Sequence, residues 1–490
     1  MFVTPAAWLA ALLVNDARRP FWLGFVLGVT AYGLMLSWVT EPAGWLAWVL
    51  LVAIQAAFIG LASVLVRPWL RHPAMPLIAA LAWTGADLVR AWAPLKGFEW
   101  GALQYAHVDG SPFLPLARLL GGRSVTLVTV FLAAAAVHLV VESLRRGDAD
   151  LTGPRRIGNG LPAARVPALF LIGGLPLSTV VTVGAPPASG AVVDVLVVQG
   201  NDLETTDLSA AEEDRAVATN LMSLTREALG DGPVPDLVVW PENAFDRDPW
   251  EPEGADLAPI AVEAGRLTAG RLLAGVNRIG PRDRTFENSQ VHIGANGEVV
   301  DVYVKQQYVP FGEYVPWRSV LGDFPPLRQV PRDGIPVAVA DVIRIGESRI
   351  AVGICFESLF GRILRNNIRA GEQDANLLVI STSDSTFGRT GEPEQHLSQS
   401  RMRAVESGRW TIHATSSGVT TLIAPDGSVG ERTDLFTQAT QRHQIPLVDQ
   451  PTPWLRWGDV LNIPLGLGVV WLLVTVIRRR RARGPAEPAG

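Results

Sequence analysis

The chain has 490 residues, 48% of them hydrophobic and 18% charged, with a mean hydropathy of +0.23. It is too long for one ordinary domain and too apolar to be wholly soluble, since a typical soluble domain carries about 25% charged residues. One cysteine excludes an internal disulfide framework and any all-cysteine metal site within the chain, and a net charge of −5 gives no ground for a nucleic-acid partner. Of 42 basic residues only Lys96 and Lys305 are lysine, a hint that arginine would not serve at those two places.

From the N-terminus, residues 1–15 are apolar but short for a membrane span. Charge-poor apolar runs follow at 21–40, 44–66, 122–143, 166–184 and 460–477, each close to the roughly 20 residues that cross a bilayer core. A weaker run, 75–93, carries Asp87 and Arg90; three residues apart, they share a helix face, where they pair or meet headgroups. Arginines cluster in every second loop (Arg18 and Arg19; Arg67 and Arg71; Arg145, Arg146, Arg155 and Arg156) and again in the tail from Arg478 to Arg483. By the positive-inside rule these segments are cytoplasmic, and the long segment 188–457 lies outside. Lys96 falls in the other external loop, 94–120, read either as an interfacial arm or as a plain connector.

Residues 191–450 change character and read as α/β. Short β-rich runs occur at 192–200, 235–242, 271–279, 348–357 and 376–384, helical periodicity at 209–229 and 394–407. Asn296-Gly297 and Asp426-Gly427 mark two hairpin turns in similar strings, VHIGANGEVVDVYV and TLIAPDGSVGER.

Three of these runs end in reactive groups. Glu242 follows LVVWP, Lys305 ends VYV with Glu313 eight residues on, and the lone Cys355 ends VGI with Glu357 two residues on. Functional groups collect at the carboxyl ends of strands in α/β sheets. Acid, amine and thiol together suit acyl chemistry: the carboxylate takes the thiol proton, the thiolate attacks a carbonyl, and the ammonium steadies the oxyanion. The lysine would also lower the thiol pKa. Taken singly, each residue has a plainer role, the cysteine as a small buried hydrophobe. His396 and His413 are weighed as dyad partners for the cysteine; no third orienting group stands out for either, and no HExxH or paired spacing points to a metal.

The strings WPE, KQQYVPFGEYVP and GICFE resemble the nitrilase, or carbon–nitrogen hydrolase, superfamily, and with apolar spans before and after them the chain resembles its membrane-embedded branch, the apolipoprotein N-acyltransferase family. The resemblance implies an α-β-β-α sandwich in an extracytoplasmic α/β domain, joined to a multi-pass α-helical membrane bundle. It divides the chain into an N-terminal bundle (1–187), a nitrilase-like domain (188–457), a C-terminal span (458–478) and a basic cytoplasmic tail (479–490). It implies Glu242 as general base, Lys305 as oxyanion stabiliser and Cys355 as nucleophile, with Glu313 and Glu357 as supporting carboxylates and the Phe356 N–H in the oxyanion hole. The implied reaction moves an acyl chain from a phospholipid, through a Cys355 thioester, to the α-amino group of a diacylglyceryl-cysteine lipoprotein at the cell membrane, with no cofactor and no metal. Two alternatives stand beside it: a membrane-tethered amidase passing its acyl group to water, and an inactive scaffold. The sequence departs from the family at its short first run, at the QGNDLETTDLS stretch, and at Ser383 and Thr386, where Asn and Trp are usual.

Overall fold

The computed structural model describes residues 1–14, 19–150, 184–201, 208–322, 324–337 and 341–482. The expected span at 166–184, most of the QGNDLETTDLS stretch, and Arg18, Arg155, Arg156 and Arg483 lie outside the described residues. The chain forms two compact units, Met1–Gly184 with Asp459–Gly490, and Ala185–Gly458.

The first unit is helical. Among the described residues three helices are long and apolar enough to cross a membrane: Ser37–Trp69, Gly122–Leu144 and Asn462–Arg479. The run at 21–40 is not one continuous span. It forms the helix Pro20–Met35, 16 residues long, and breaks at Leu36 before a 3-10 turn at Ser37–Val39. At 1.5 Å per residue that helix reaches about 24 Å, short of a 30 Å hydrocarbon core. Residues 75–93 shorten likewise to Met75–Arg90, and the opening run to Val3–Val14. The last helix returns to this unit. Arg123 reaches Asn462 at 3.1 Å, and Trp69 packs on Trp471. A Cβ on Gly85 would lie 2.2 Å from Val469, so glycine permits the helix approach. The loop at 94–120 is a folded connector that buries Glu99, Trp100 and Tyr105 and leaves Lys96 exposed.

The second unit is built on two sheets. In the first, β1 (Val192–Gln199), β2 (Leu237–Val239) and β3 (Leu272–Ile279) run parallel, and β4 (Thr285–Ile293) and β5 (Val299–Val304) follow antiparallel. A two-residue β6 (Asp333–Gly334) pairs with β4. In the second, β7 (Ile343–Ile345) and β8 (Ser348–Ile354) form a hairpin; β8 runs parallel to β9 (Leu377–Thr382), and β9 to β10 (Thr411–Thr415). An antiparallel pair, β11 (Thr421–Ile423) and β12 (Val429–Arg432), completes it. The last strand, β13 (Ala439–Pro446), crosses back to pair with β1. Both sheets thus carry three parallel strands followed by a hairpin, and the two similar turn strings are those hairpins, one per sheet.

Alternation decides the layers. Val193, Val195 and Val197 of β1 face Ile350, Val352 and Ile354 of β8 in a core between the sheets. The intervening Leu196 and Val198 face outward onto the helices Ala210–Leu229 and Ala258–Leu267. On the far side, Ala351, Leu378 and Ile380 meet the helix Gly361–Ile368. A period of two thus gives each sheet two apolar faces and sets the order α-β-β-α.

Candidate active site

Glu242 stands three residues beyond β2. Trp240 anchors the turn, wholly buried, its indole N–H donating to Thr225 at 2.9 Å. The backbone then passes so close to β3 that a Cβ on Gly275 would sit 2.3 Å from the Pro241 carbonyl; glycine is required there. The Ser416 hydroxyl holds the Glu242 carbonyl at 2.8 Å. These contacts aim the Glu242 carboxylate inward, where Asn288 donates to Oε1 at 2.6 Å and the Ser383 N–H to Oε2 at 3.0 Å. The Ser383 contact is made by backbone, so the departure from Asn at that position leaves it intact.

Lys305 follows β5 directly and is wholly buried. Its Nζ donates to Glu242 Oε1 at 3.3 Å and to Glu313 Oε1 at 2.7 Å. Glu313 is itself held by the Val309 N–H at 2.7 Å, closing the turn between lysine and glutamate.

Cys355 ends β8 and opens the 3-10 turn Cys355–Leu359. Its φ is +49°, in the left-handed region that a side chain occupies at a cost. Glu357 braces this bend. Its Oε2 accepts from the Ile354 N–H and from the Tyr303 hydroxyl, both at 2.8 Å, and its Oε1 from the N–H groups of Gln306 at 2.6 Å and Gln307 at 3.2 Å. One carboxylate therefore ties the cysteine turn to the backbone just after Lys305. Phe356, buried, packs edge-on against Phe360 at 5.1 Å.

Burial sets the proton affinities. It pushes the Glu242 carboxyl above its usual range, and neighbouring Glu313 adds to this against the pull of Lys305. It raises Glu357 to about 6. On Lys305 burial acts downward, but Glu242 and Glu313 outweigh it and the ammonium is held well above its ordinary value. The thiol corrects an expectation. Lys305 does act to lower its pKa, but burial and the charge of Glu242 prevail, so Cys355 is pushed well up. The thiol form is thereby favoured over the thiolate.

Glu242, Lys305 and Glu313 are thus in direct contact, and Cys355 feels the charges of all three. Glu357 and Phe356 support the cysteine turn. Asn288, Tyr303 and Asp384 escaped the sequence reading. Asn288 lies inside β4 between Glu287 and Ser289, in a polar stretch that gave no signal of its role. The dyad does not form: the Nε2 of His396 meets the Cys355 carbonyl at 3.1 Å, not the thiol, while the Nδ1 of His413 meets Ser400 at 3.0 Å. The orienting group not found in the sequence is Asp384, 3.0 Å from the Nδ1 of His396. Ligand atoms of Asp384, Glu392 and His396 lie within 4.8 Å of one another, a spacing open to a cation, but both ring nitrogens of His396 are already engaged.

Two sheets between helices, with acid, amine and thiol at three strand ends, define a carbon–nitrogen hydrolase. Residues 197–450 match the carbon-nitrogen hydrolase family and residues 1–135 the apolipoprotein N-acyltransferase N-terminal domain. The apolipoprotein N-acyltransferase of Ralstonia nicotianae is 31% identical, covering 96% of this chain and 88% of that protein. The one from Geobacter metallireducens is 29% identical, covering 98% and 92%. A solved carbon–nitrogen hydrolase from Helicobacter pylori aligns at 14% identity with a TM-score of 0.38, over 52% of this chain and 89% of that one. The chain belongs to the apolipoprotein N-acyltransferase family.

Proposed function

We propose that this chain N-acylates lipoproteins by a two-step, ping-pong transfer through Cys355. The observation that carries the reading is the buried contact of Lys305 with Glu242 and Glu313 beside the strained Cys355 turn. In the first step Glu242 takes the thiol proton as sulfur attacks the ester carbonyl of a phospholipid. Lys305 and the Phe356 N–H hold the oxyanion. The C–O bond then breaks, Glu242 returns its proton to the leaving alkoxide, and a lysophospholipid departs. In the second step the α-amino nitrogen of a diacylglyceryl-cysteine attacks the thioester, Glu242 accepts a proton from it, and the thiolate leaves and is reprotonated. A carboxyl with raised proton affinity suits a base that must give its proton back.

The apolar helices fit a membrane protein, and the arginine distribution favours an extracytoplasmic catalytic unit with a cytoplasmic tail. A lipid substrate is favoured by the loop carrying Glu313, which exposes Phe311, Trp317, Val320 and Phe324. The test is mass spectrometry of the purified protein with phospholipid and a diacylglyceryl-cysteine peptide. The reading expects acyl gain on the peptide and, with phospholipid alone, a hydroxylamine-sensitive adduct on Cys355. Free fatty acid without peptide gain would favour the amidase, and absence of any turnover the scaffold.

A further inference from the structure

His396 sits on the helix Glu392–Ser407, behind the cysteine turn, and is wholly buried. Its Nε2 faces the Cys355 carbonyl at 3.1 Å. A carbonyl only accepts, so Nε2 carries a proton and donates it. On the other side Nδ1 faces Asp384 Oδ1 at 3.0 Å, with Glu392 at 3.6 Å. Asp384 is fixed in turn: the Thr382 hydroxyl donates to the same oxygen at 2.8 Å, and Gly418 leaves room for its other oxygen, which a Cβ there would approach to 2.2 Å. The same helix touches the turn a second time, where Ser358 donates to Gln399 at 2.9 Å.

The carbonyl that His396 holds belongs to the same peptide group as the Phe356 N–H. A trans peptide is planar, with its C=O and N–H pointing opposite ways. Fixing the carbonyl toward the helix therefore directs the Phe356 N–H away from it. A hydrogen bond accepted by a carbonyl also polarises its amide and strengthens the N–H as a donor. Cys355, at φ +49°, would otherwise be free to relax out of this orientation.

We infer that Asp384 and His396 form a positioning pair for the oxyanion hole, holding and polarising the Cys355–Phe356 peptide so that its N–H meets the developing oxyanion. The inference rests on the proposed role of Cys355 as acyl acceptor. It assigns His396 no contact with thiol or substrate.

The experiment compares two reactions of Cys355 in the full-length protein in detergent. A p-nitrophenyl ester acylates the thiol through an oxyanion, read as a single-turnover burst of nitrophenolate. Iodoacetamide alkylates the same thiol by displacement, with no oxyanion. His396→Leu is expected to slow acylation by about 100-fold, in the range for loss of an oxyanion-hole donor, and alkylation by less than about threefold. His396→Gln, which keeps an N–H near the Nε2 position, should recover about tenfold of the loss. Asp384→Asn should slow acylation by about tenfold with alkylation unchanged. Acylation and alkylation falling together, in the glutamine variant as well, would reduce His396 to a structural residue, and a normal burst in His396→Leu would equally overturn the inference. If the parent acylates from the ester but never from phospholipid, the substrate reading fails and the positioning role stands. A parent inert to the ester overturns both.

Discussion

In the helical unit the buried guanidinium of Arg90 meets the Asp87 carboxylate at 2.7 Å, the Gln55 side chain and Trp100 carbonyl at 2.6 Å each, and the Tyr32 hydroxyl. Arg90 pairs with Asp87 and nearby Arg123 pairs with Glu99 at 2.6 Å, so cations and anions balance, and neutral acceptors take other Arg90 donors. In the α/β unit the buried ammonium of Lys305 faces two carboxylates and a thiol. Acid is in excess there, the proton affinities of Glu242 and Cys355 are displaced, and the backbone at Cys355 is strained. A balanced cluster has nothing left to exchange. In the proposed mechanism the unbalanced one takes up a proton from the thiol and returns it to the leaving group. On the proposed mechanism, then, a buried charge cluster is structural around Arg90 and chemical around Lys305.

The largest expected effect breaks the chemical side. Cys355→Ser should lower acyl transfer by at least about 10⁴-fold, since removal of a nucleophile removes the covalent route, with the thermal midpoint little changed. Retained transfer, followed by peptide acylation, would place the chemistry elsewhere.

Next comes the structural side. Arg90→Leu leaves Asp87 buried without its cation and should cost about 3–5 kcal/mol of stability. The double change Arg90→Leu with Asp87→Leu should restore much of it. Thermal melting in detergent reads both, and transfer per folded molecule should hold. If the well-folded double variant lost transfer, the two clusters would not differ in the way argued.

Lys305→Arg keeps the charge but replaces a compact ammonium with a planar fork in a fully buried site. A loss of about 10²–10³-fold in single-turnover acylation is expected, in the range for a displaced oxyanion partner. Near-normal acylation would show that charge alone suffices, and that the rarity of lysine in this chain carries no information.

Strands β1, β2, β3, β8 and β9, both hairpins and the three strand ends bearing Glu242, Lys305 and Cys355 were legible because an apolar run that stops at an acid, amine or thiol is a local pattern, whereas β10 and β13 were not read. The Asp87–Arg90 pair was legible for the same reason, from a spacing of three on a helix. What escaped depends on partners far away in sequence. Asn288 reaches Glu242 across 46 residues, and Asp384 acquires its role only when β9 ends beside the helix bearing His396. The direction of the thiol shift was misread for a related reason. Sequence revealed the lysine that lowers it but not the burial that raises it, and desolvation outweighs a single Coulomb partner. The 21–40 run was misjudged because composition does not register the break at Leu36.

The smallest effect sharpens the comparison by asking whether neutral burial in the α/β unit obeys the same physics. His413 is wholly buried, bonded to Ser400, and packed edge-on against His396 at 5.4 Å. Burial, aided by His396, lowers its pKa to about 3, against about 6.5 in an unfolded chain. Below pH 6.5 the unfolded chain takes up a proton there and the folded protein does not. The stability that neutral His413 contributes is therefore complete above pH 6.5 and declines as pH falls, by about 2 kcal/mol at pH 5. His413→Asn removes this dependence while Asp384 and His396, the titratable groups beside it, stay in place. The parent should be the more stable at pH 8, and its advantage should shrink by about 2 kcal/mol at pH 5, measured as paired denaturant midpoints in the same detergent. An advantage constant from pH 8 to pH 5 would mean that His413 takes up its proton as readily in the folded protein as in the unfolded chain. The α/β unit would then bury a further cation near Asp384 at pH 5, and the contrast between a balanced and an unbalanced cluster would have to be redrawn around it.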